Sequence, residues 1–306
     1  MTREFPRAFM LPERFVVSVP ASSANLGPGF DAVGIALDLR LRAVVESHDR
    51  FALHFGGSNV PSHDGYADAI VAAMRRIDER LPRVRMHVEN AIPLGKGLGS
   101  SAAASVLGLV VASRARGEIL GRDRLAQLAC DLEGHPDNAL AAVYGGTVVS
   151  ISASMRDCVR LNAPRDLCAL VVVPEIDLAT SEARALLPER YERRDVIYTA
   201  QRASLLGAAL GSGSWRALRA AMNDRLHQPY RAERVPGLAA ALALRARDLV
   251  GIALSGAGPS VLAILHEGAA WQSIAARLEA CFSRSGIVSR THRLAFAARG
   301  VLVRGA

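Results

Sequence analysis

The run PLGKGLGSSAAAS at residues 93–105 carries the clearest chemistry in this sequence. Gly95, Gly97 and Gly99 alternate through it, and glycines so placed let a backbone turn sharply and approach a ligand with no Cβ in the way. The alanine-rich run that begins at Ser100 has helical character, so its first N–H groups and the positive end of its dipole face whatever the loop encloses. Such an arrangement binds an anion, most often a nucleotide phosphate. It is not a Walker loop, because Lys96 is followed by Gly97 rather than Ser or Thr, and the dinucleotide GxGxxG spacing is missing. Lys96 is the only lysine among 37 basic side chains. It either adds a point charge to the phosphate cradle or is a solvated loop lysine.

The elements around this loop follow from periodicity. Residues 15–19 read as a short strand entering a loop at 20–31, and residues 32–47 alternate as one or two strands. Ile70, Val71, Met74, Ile77 and Leu81 fall on one stripe and predict an amphipathic helix over 66–80. A strand at 84–89 leads into the glycine-rich loop. The helix over 100–115 is mostly apolar and therefore buried. A helix at 122–132 and a strand at 147–154 complete a first half. The polar stretch 155–166 separates it from a second, giving domains at 1–160 and 161–306. The second half reads as an apolar strand at 167–173, helices at 180–187 and 194–210, a helix opened by Pro236 at its first position, and strands at 251–255 and 260–266. A helix at 269–282 and a last strand region follow. Strands and helices without strict alternation argue an α+β fold.

Bulk properties narrow the classes. A chain of 306 residues, half of them hydrophobic and 22% charged, has ample core for two domains. The longest apolar stretches are interrupted and too short to span a bilayer. The start, MTREFPR, lacks the apolar core of a signal peptide, which predicts a cytoplasmic protein. Cys130, Cys158, Cys168 and Cys281 show no metal-ligand spacing and read as buried thiols. The net charge of +8 comes from dispersed arginines, and aromatics are only 5%, too few to stack bases.

Three motifs stand in order: ASSANLGPGFD at 21–31, the loop at 93–105, and LSGAGPSV at 254–261. Together they resemble the GHMP kinases, the family of galactokinase and of the homoserine, mevalonate and phosphomevalonate kinases. The first motif, with EGHPDN at 133–138 and DRLHQPYR at 224–231, is similar to the branch that phosphorylates homoserine. The resemblance implies a GHMP kinase fold, with an N-terminal domain like the second domain of ribosomal protein S5 and a C-terminal ferredoxin-like domain, often dimeric. It implies an ATP-dependent small-molecule kinase acting on L-homoserine in threonine biosynthesis. ATP then lies on Pro93, Leu94, Gly95, Lys96, Gly97, Leu98, Gly99, Ser100, Ser101, Ala102 and Ala103, and Mg²⁺ on Ser101 and Glu133. Arg184 and Arg231 take the substrate carboxylate, Asp31 the ammonium, and Asn25 and Asn138 the reacting hydroxyl, with His135 close by. Thr180 orients the γ-phosphate. Gly256 and Gly258 let the C-terminal half approach the ATP loop, or simply make a tight turn. Asn59 and Val60 are the candidates for adenine.

The reading leaves the base open. Asp137 and His135 are candidates, against a mechanism that relies on positioning and charge alone. Mevalonate is the rival substrate, with a carboxylate and a hydroxyl but no ammonium for Asp31. Nucleic-acid binding is the non-enzymatic rival, motivated by the sequence pI near 10.0.

Overall fold

The computed structural model describes residues 14–57, 59 and 65–305. The N-terminal stretch read for targeting and Val60 lie outside them. Strands β1 (Arg14–Asn25) and β2 (Gly29–Ser47) form one long antiparallel hairpin. The region expected to be a loop is therefore mostly strand: the ladder continues from Ala21 opposite Leu37 to Ala24 opposite Gly34, with register shifts at Pro20/Ala21 and Ala24/Asn25. The small side chains of Ala21, Ser22, Ser23 and Ala24 give no apolar alternation to read, yet all four are buried. Only the turn between Asn25 and Gly29 is left as loop.

Next come β3 (Ala52–Gly56), α1 (Gly65–Arg75), β4 (Val84–Asn90), α2 (Ser100–Ala115), α3 (Arg122–Glu133), α4 (Pro136–Tyr144), β5 (Thr147–Ser150) and β6 (Cys158–Leu161). Helix α1 ends five residues before the expected limit, while α2 has the expected bounds. Helix α2 is buried on every side from Ala102 to Ser113, which is why its sequence lacks a polar face.

The C-terminal half contains β7 (Leu167–Pro174), α5 (Thr180–Ala185), α6 (Arg193–Ser212), α7 (Leu218–Ala221), α8 (Gln228–Arg234), α9 (Leu238–Ala243), β8 (Leu249–Leu254), β9 (Val261–His266), α10 (Trp271–Ser283), β10 (Ser289–Leu294) and β11 (Leu302–Gly305). Its sheet runs β10-β7-β9-β8, all antiparallel neighbours, which is the strand order of a ferredoxin-like domain. Strand β7 alternates between two cores. Ala169, Val171 and Val173 pack with the larger core, and Cys168, Leu170 and Val172 with the smaller one. Burial on both faces accounts for its unbroken apolar run.

Helix α9 starts later than expected. Gly237, in a left-handed conformation, is its N-cap, so Pro236 precedes the helix rather than opening it. The chain then returns to the first half. β11 pairs with β1, in a sheet ordered β11-β1-β2-β4-β3 with β5 and β6 attached to β2. The last strand thus lies in the N-terminal sheet, across the linear division at 160/161.

Close packing fixes α4 against β2. A Cβ on Gly34 would lie 2.2 Å from the Asp137 carbonyl oxygen. Gly34→Ala is expected to destabilise the protein by about 1–3 kcal/mol, as overpacking of a tight interior does. Gly207, in the middle of α6, faces open space. Gly207→Ala is expected to stabilise by about 0.5–1 kcal/mol. Thermal unfolding of the two variants checks both signs.

Candidate active site

Three backbone segments converge: the β1–β2 turn, the glycine-rich loop and the β8–β9 turn. The Ser22 amide donates to the Leu98 carbonyl at 3.1 Å, and the Gly256 amide to Ala24 at 3.1 Å. The Ser255 hydroxyl donates to the Gly97 carbonyl at 2.7 Å and shares a bond with Ser23 Oγ at 2.8 Å. Gly95, Gly97 and Gly99 all have left-handed φ, at 64°, 72° and 67°. A Cβ on Gly97 would sit 2.2 Å from the Ser255 carbonyl, and one on Gly99 2.1 Å from Ser22 Oγ. Gly97 therefore serves a close contact with neighbouring backbone, and Gly99 makes room for the Ser22 hydroxyl. A Cβ on Gly95 would meet nothing within 4 Å, so this is the glycine that leaves space for a ligand. Gly256 likewise approaches Gly97, since its own Cβ would stand 3.1 Å from that carbonyl, whereas Gly258 faces the Leu254 side chain.

A cavity of about 650 Å³ opens at this junction. Its wall includes Leu94, Gly95, Gly97, Leu98, Gly99, Ser100 and Ser101, and also Asn25, Asp31, Glu133, His135, Asn138, Thr180, Arg184 and Arg231. Pro93, Lys96, Ala102 and Ala103 do not line it; Ala102 and Ala103 are buried inside α2. Asn59 is also off the wall and donates to the Asn90 carbonyl at 3.2 Å. Gly99 is the N-cap of α2, so the first N–H groups of the helix point toward the loop.

Asp31 and Arg184, expected to take the ammonium and the carboxylate of a ligand, hold each other in a bidentate pair at 2.9 Å on both oxygens. Arg231 is 2% exposed. Its Nε donates to the Ala183 carbonyl at 3.2 Å and its Nη1 to Gly256 at 3.1 Å. Burial first, and then the charge of Arg184, push Arg231 down to about 10, which still leaves it charged near neutrality. Both arginines pack on Phe30, with their guanidinium carbons 5.4 Å and 5.3 Å from its ring centre.

Asn25 is committed to backbone. Its Nδ2 donates to the Gly256 carbonyl at 2.9 Å and its Oδ1 accepts from the Asp31 amide at 3.0 Å. Asn25 is a brace here, not a group held out to a substrate hydroxyl. Among the described residues, Asn25, Leu26 and Asp31 are the non-glycine positions with left-handed φ (73°, 47° and 55°). Backbone strain of this kind persists where surroundings over-determine it, commonly at functional sites.

Asn138 sits in the first turn of α4 and accepts from Ser22 Oγ at 2.7 Å. Asp137 is 1% exposed, and its Oδ1 takes both the Asn138 amide at 2.6 Å and His135 Nδ1 at 2.7 Å. That carboxylate raises the His135 imidazole above its ordinary range, against burial. Glu133 Oε1 accepts from Ser101 Oγ and Ser105 Oγ, each at 2.9 Å. Burial raises its proton affinity, and the two serines oppose that. Lys96 Nζ donates to the Ile176 carbonyl and, at 2.8 Å, to Oδ1 of Asp177, a residue of the cavity wall. Thr180 opens α5 on the cavity wall.

Sequence reasoning does not single out Phe30, Ser22, Ser105 or Tyr66. Tyr66 lines the cavity, donates to the Ser100 carbonyl at 3.2 Å, and burial raises its hydroxyl well above the usual range. A serine or phenylalanine beside a recognised motif carries no signal of its own. Only the folded contacts distinguish these from neighbours.

Comparison with known proteins places this geometry. The GHMP kinases N terminal domain matches residues 66–146, and GHMP kinases C terminal matches residues 206–284. A homoserine kinase of Solibacter usitatus is 40% identical over 94% of this chain and 96% of its own length. One from Thermus thermophilus is 42% identical over 82% of this chain and 86% of its own. The crystal structure of homoserine kinase from Cytophaga hutchinsonii superposes with a TM-score of 0.79 at 24% identity, covering 96% of this chain and 98% of that one. A mevalonate kinase structure superposes at 0.65 with 13% identity, covering 93% and 99%, a likeness of fold.

The His135–Asp137 pair generates a pH prediction. With a folded pKa above the unfolded one, the pair stabilises fully below the ordinary histidine value, and that contribution is lost as pH rises through the raised value. NMR titration of the His135 ring is expected to give a pKa above 6.5, falling in Asp137→Asn. An unshifted His135 would remove the pairing.

Proposed function

The chain belongs to the GHMP kinase family and within it to the homoserine kinases, and on that premise we infer that it phosphorylates the side-chain hydroxyl of L-homoserine with ATP. The observation that carries the residue-level reading is the junction itself. One cavity joins a glycine-rich loop at a helix N-terminus to two arginines and an aspartate suited to the charged groups of an amino acid. The first N–H groups of α2 and the open space at Gly95 receive the triphosphate. Ala102 and Ala103 support this as buried helix residues rather than as contacts.

Homoserine is a zwitterion, and the wall offers a matching pair. Arg231 is fixed by burial and by carbonyl bonds, so it presents a positioned guanidinium to the carboxylate. Arg184 and Asp31 are half-exposed, with side chains 45% and 35% accessible, and such a pair is worth about 0.2–1 kcal/mol. It opens at low cost, leaving Arg184 for the carboxylate and Asp31 for the ammonium. Mevalonate has no ammonium to replace the Arg184 charge at Asp31. Asn138, held by Ser22, positions the hydroxyl, and Thr180, at the start of α5, orients the phosphoryl group.

Magnesium is the accompanying ion. Ser101 and Glu133 fit it, being hard oxygen donors that touch at 2.9 Å on the cavity wall. Among the described residues no three His, Cys, Asp or Glu cluster as a full protein cage, which accords with an ion shared with phosphates. Bound there, it would neutralise phosphate charge during transfer.

We assign no dedicated base. Asp137 is buried, with Oδ1 already taken by two donors, and His135 is biased toward its protonated form. In a loose transition state the hydroxyl proton can leave late, to the transferred phosphoryl group. The Asp137 carboxylate raises the His135 imidazole, so less of that ring is neutral and free to accept a proton at the cavity wall. Among the described residues no helix is long and apolar enough to cross a membrane. A homodimer in the cytoplasm is the assembly and location proposed.

ADP release with L-homoserine, against L-serine, mevalonate and galactose, tests the substrate. Turnover of mevalonate in preference to homoserine would overturn the reading. Arg231→Ala is expected to raise the homoserine KM by the equivalent of about 2–5 kcal/mol, with little change in the ATP KM. Arg184→Ala should raise it less, because that side chain is half-exposed. Asn138→Ala is expected to lower kcat by about 10–100-fold, or 1.4–2.7 kcal/mol of positioning. Asp137→Asn should keep most of its kcat. A loss of about 10²–10⁴-fold there, with disappearance of the acidic limb of the pH–rate profile, would identify Asp137 as a base.

A further inference from the structure

His227 is fully buried, at 0% exposure, and has no part in the chemistry described above. Its Nε2 lies 2.7 Å from the Gly27 carbonyl in the β1–β2 turn, and its Nδ1 lies 3.2 Å from Arg231 Nη1. A carbonyl only accepts and a guanidinium only donates. Both contacts are satisfied together by one species, the neutral imidazole with its proton on Nε2.

The surroundings favour that species. Asp224 Oδ2 is 3.5 Å from Nε2, but the Asp224 carboxylate already accepts from the amides of Leu226, His227 and Gln228. Phe30 covers the ring at a centroid distance of 5.0 Å. A proton on Nδ1 would face the Arg231 cation. Burial first, and that cation, hold the imidazole below its ordinary range against the pull of Asp224.

The bonds of Arg231 show what His227 does for it. Nε is used by Ala183, and the two hydrogens of Nη1 go to Gly256 and to His227. Of five N–H groups, the pair on Nη2 is what remains for a ligand in the cavity. We propose that His227 is a positioning residue: a neutral imidazole that fixes the rotation of Arg231, so that Nη2 meets the substrate carboxylate, and ties that arginine to the β1–β2 turn. This rests on the assignment of Arg231 to the carboxylate of homoserine.

Two isosteric substitutions separate the bonds. His227→Gln places an amide near Nε2, keeping the Gly27 bond and giving up the acceptor for Arg231. His227→Asn places an oxygen near Nδ1 and gives up the Gly27 bond instead. Steady-state kinetics and thermal unfolding are measured for both, for Arg231→Ala and for the His227→Gln/Arg231→Ala double variant. His227→Gln is expected to raise the homoserine KM about 10-fold, the loss of one hydrogen bond to a charged group, with the ATP KM unchanged. His227→Asn should lie closer to wild type. In the Arg231→Ala background His227→Gln should add nothing, because it acts through the missing side chain.

Equal rises in both KM values, or full additivity in the double variant, would overturn the proposal and make His227 a purely structural residue. If His227→Gln does not fold, His227→Asn decides: a homoserine KM as high as that of Arg231→Ala overturns it, and one near wild type supports it. An unchanged homoserine KM in Arg231→Ala is a different failure, that of the carboxylate assignment beneath it.

Discussion

The site depends on three backbones lying closer together than any side chain would permit. Gly97 meets the Ser255 carbonyl and Gly256 meets Gly97, while Gly99 admits the Ser22 hydroxyl, each at a distance a Cβ would violate or crowd. Hydrogen bonds from Ser22, Ser255 and Gly256 then lock the three segments. Because one segment belongs to β1, one precedes α2 and one joins β8 to β9, the contact couples the two sheets at the cavity where the proposed function aligns phosphate and acceptor. Transfer between two bound molecules rewards such rigidity, since small displacements of the reacting atoms are costly. The strained residues Asn25, Leu26 and Asp31 belong to the same junction, and the two bonds of the Asn25 side chain hold that strain in place.

Charge is divided unequally around the cavity. Arg231 is buried, spoken for on three of its N–H groups, and immobile. Arg184 is half-exposed and already paired with Asp31. One arginine is thus a fixed reference and the other an exchangeable partner. In the function proposed above, a ligand carrying both charges would replace both halves of the Asp31–Arg184 pair, whereas a ligand carrying one would strand the other. Elsewhere around the cavity Asp137 is tied by His135, and Glu133 by two serines.

Much of this is legible in the sequence where a residue type has few alternative uses. Alternating glycines before an alanine run locate the loop, and the helix at Ser100–Ala115 has the bounds that its composition implies. The apolar run of β7 announces a strand buried on both faces. What escapes is carried by contacts across long separations. Residues 21–25 lack alternation because their small side chains are packed on both sides by other backbone, so they read as loop. Asn25 looks like a ligand contact, but its side-chain amide is consumed by the local Asp31 N–H and by the Gly256 carbonyl of the other half. His227 sits inside a recognised motif without any feature of its own; only the fold shows a carbonyl on one nitrogen and a guanidinium on the other. β11 pairs with a strand nearly the whole chain away, and no local pattern encodes that return.

Lys96 has a consequence outside catalysis. It is the only lysine in residues 1–306, its side chain is 16% exposed, and its ammonium bridges from the glycine-rich loop to Ile176 and Asp177. Every other basic side chain of the Lys/Arg class is an arginine, whose guanidinium stays protonated and unreactive toward acylating reagents at any ordinary pH. Residues 1–306 therefore offer amine-directed reagents a single lysine target, and that target stands in the glycine-rich loop. Crosslinkers, fluorophores or resins that normally decorate lysines at random would here find, besides the α-amino terminus, one largely buried ammonium whose acylation breaks its bonds to Ile176 and Asp177.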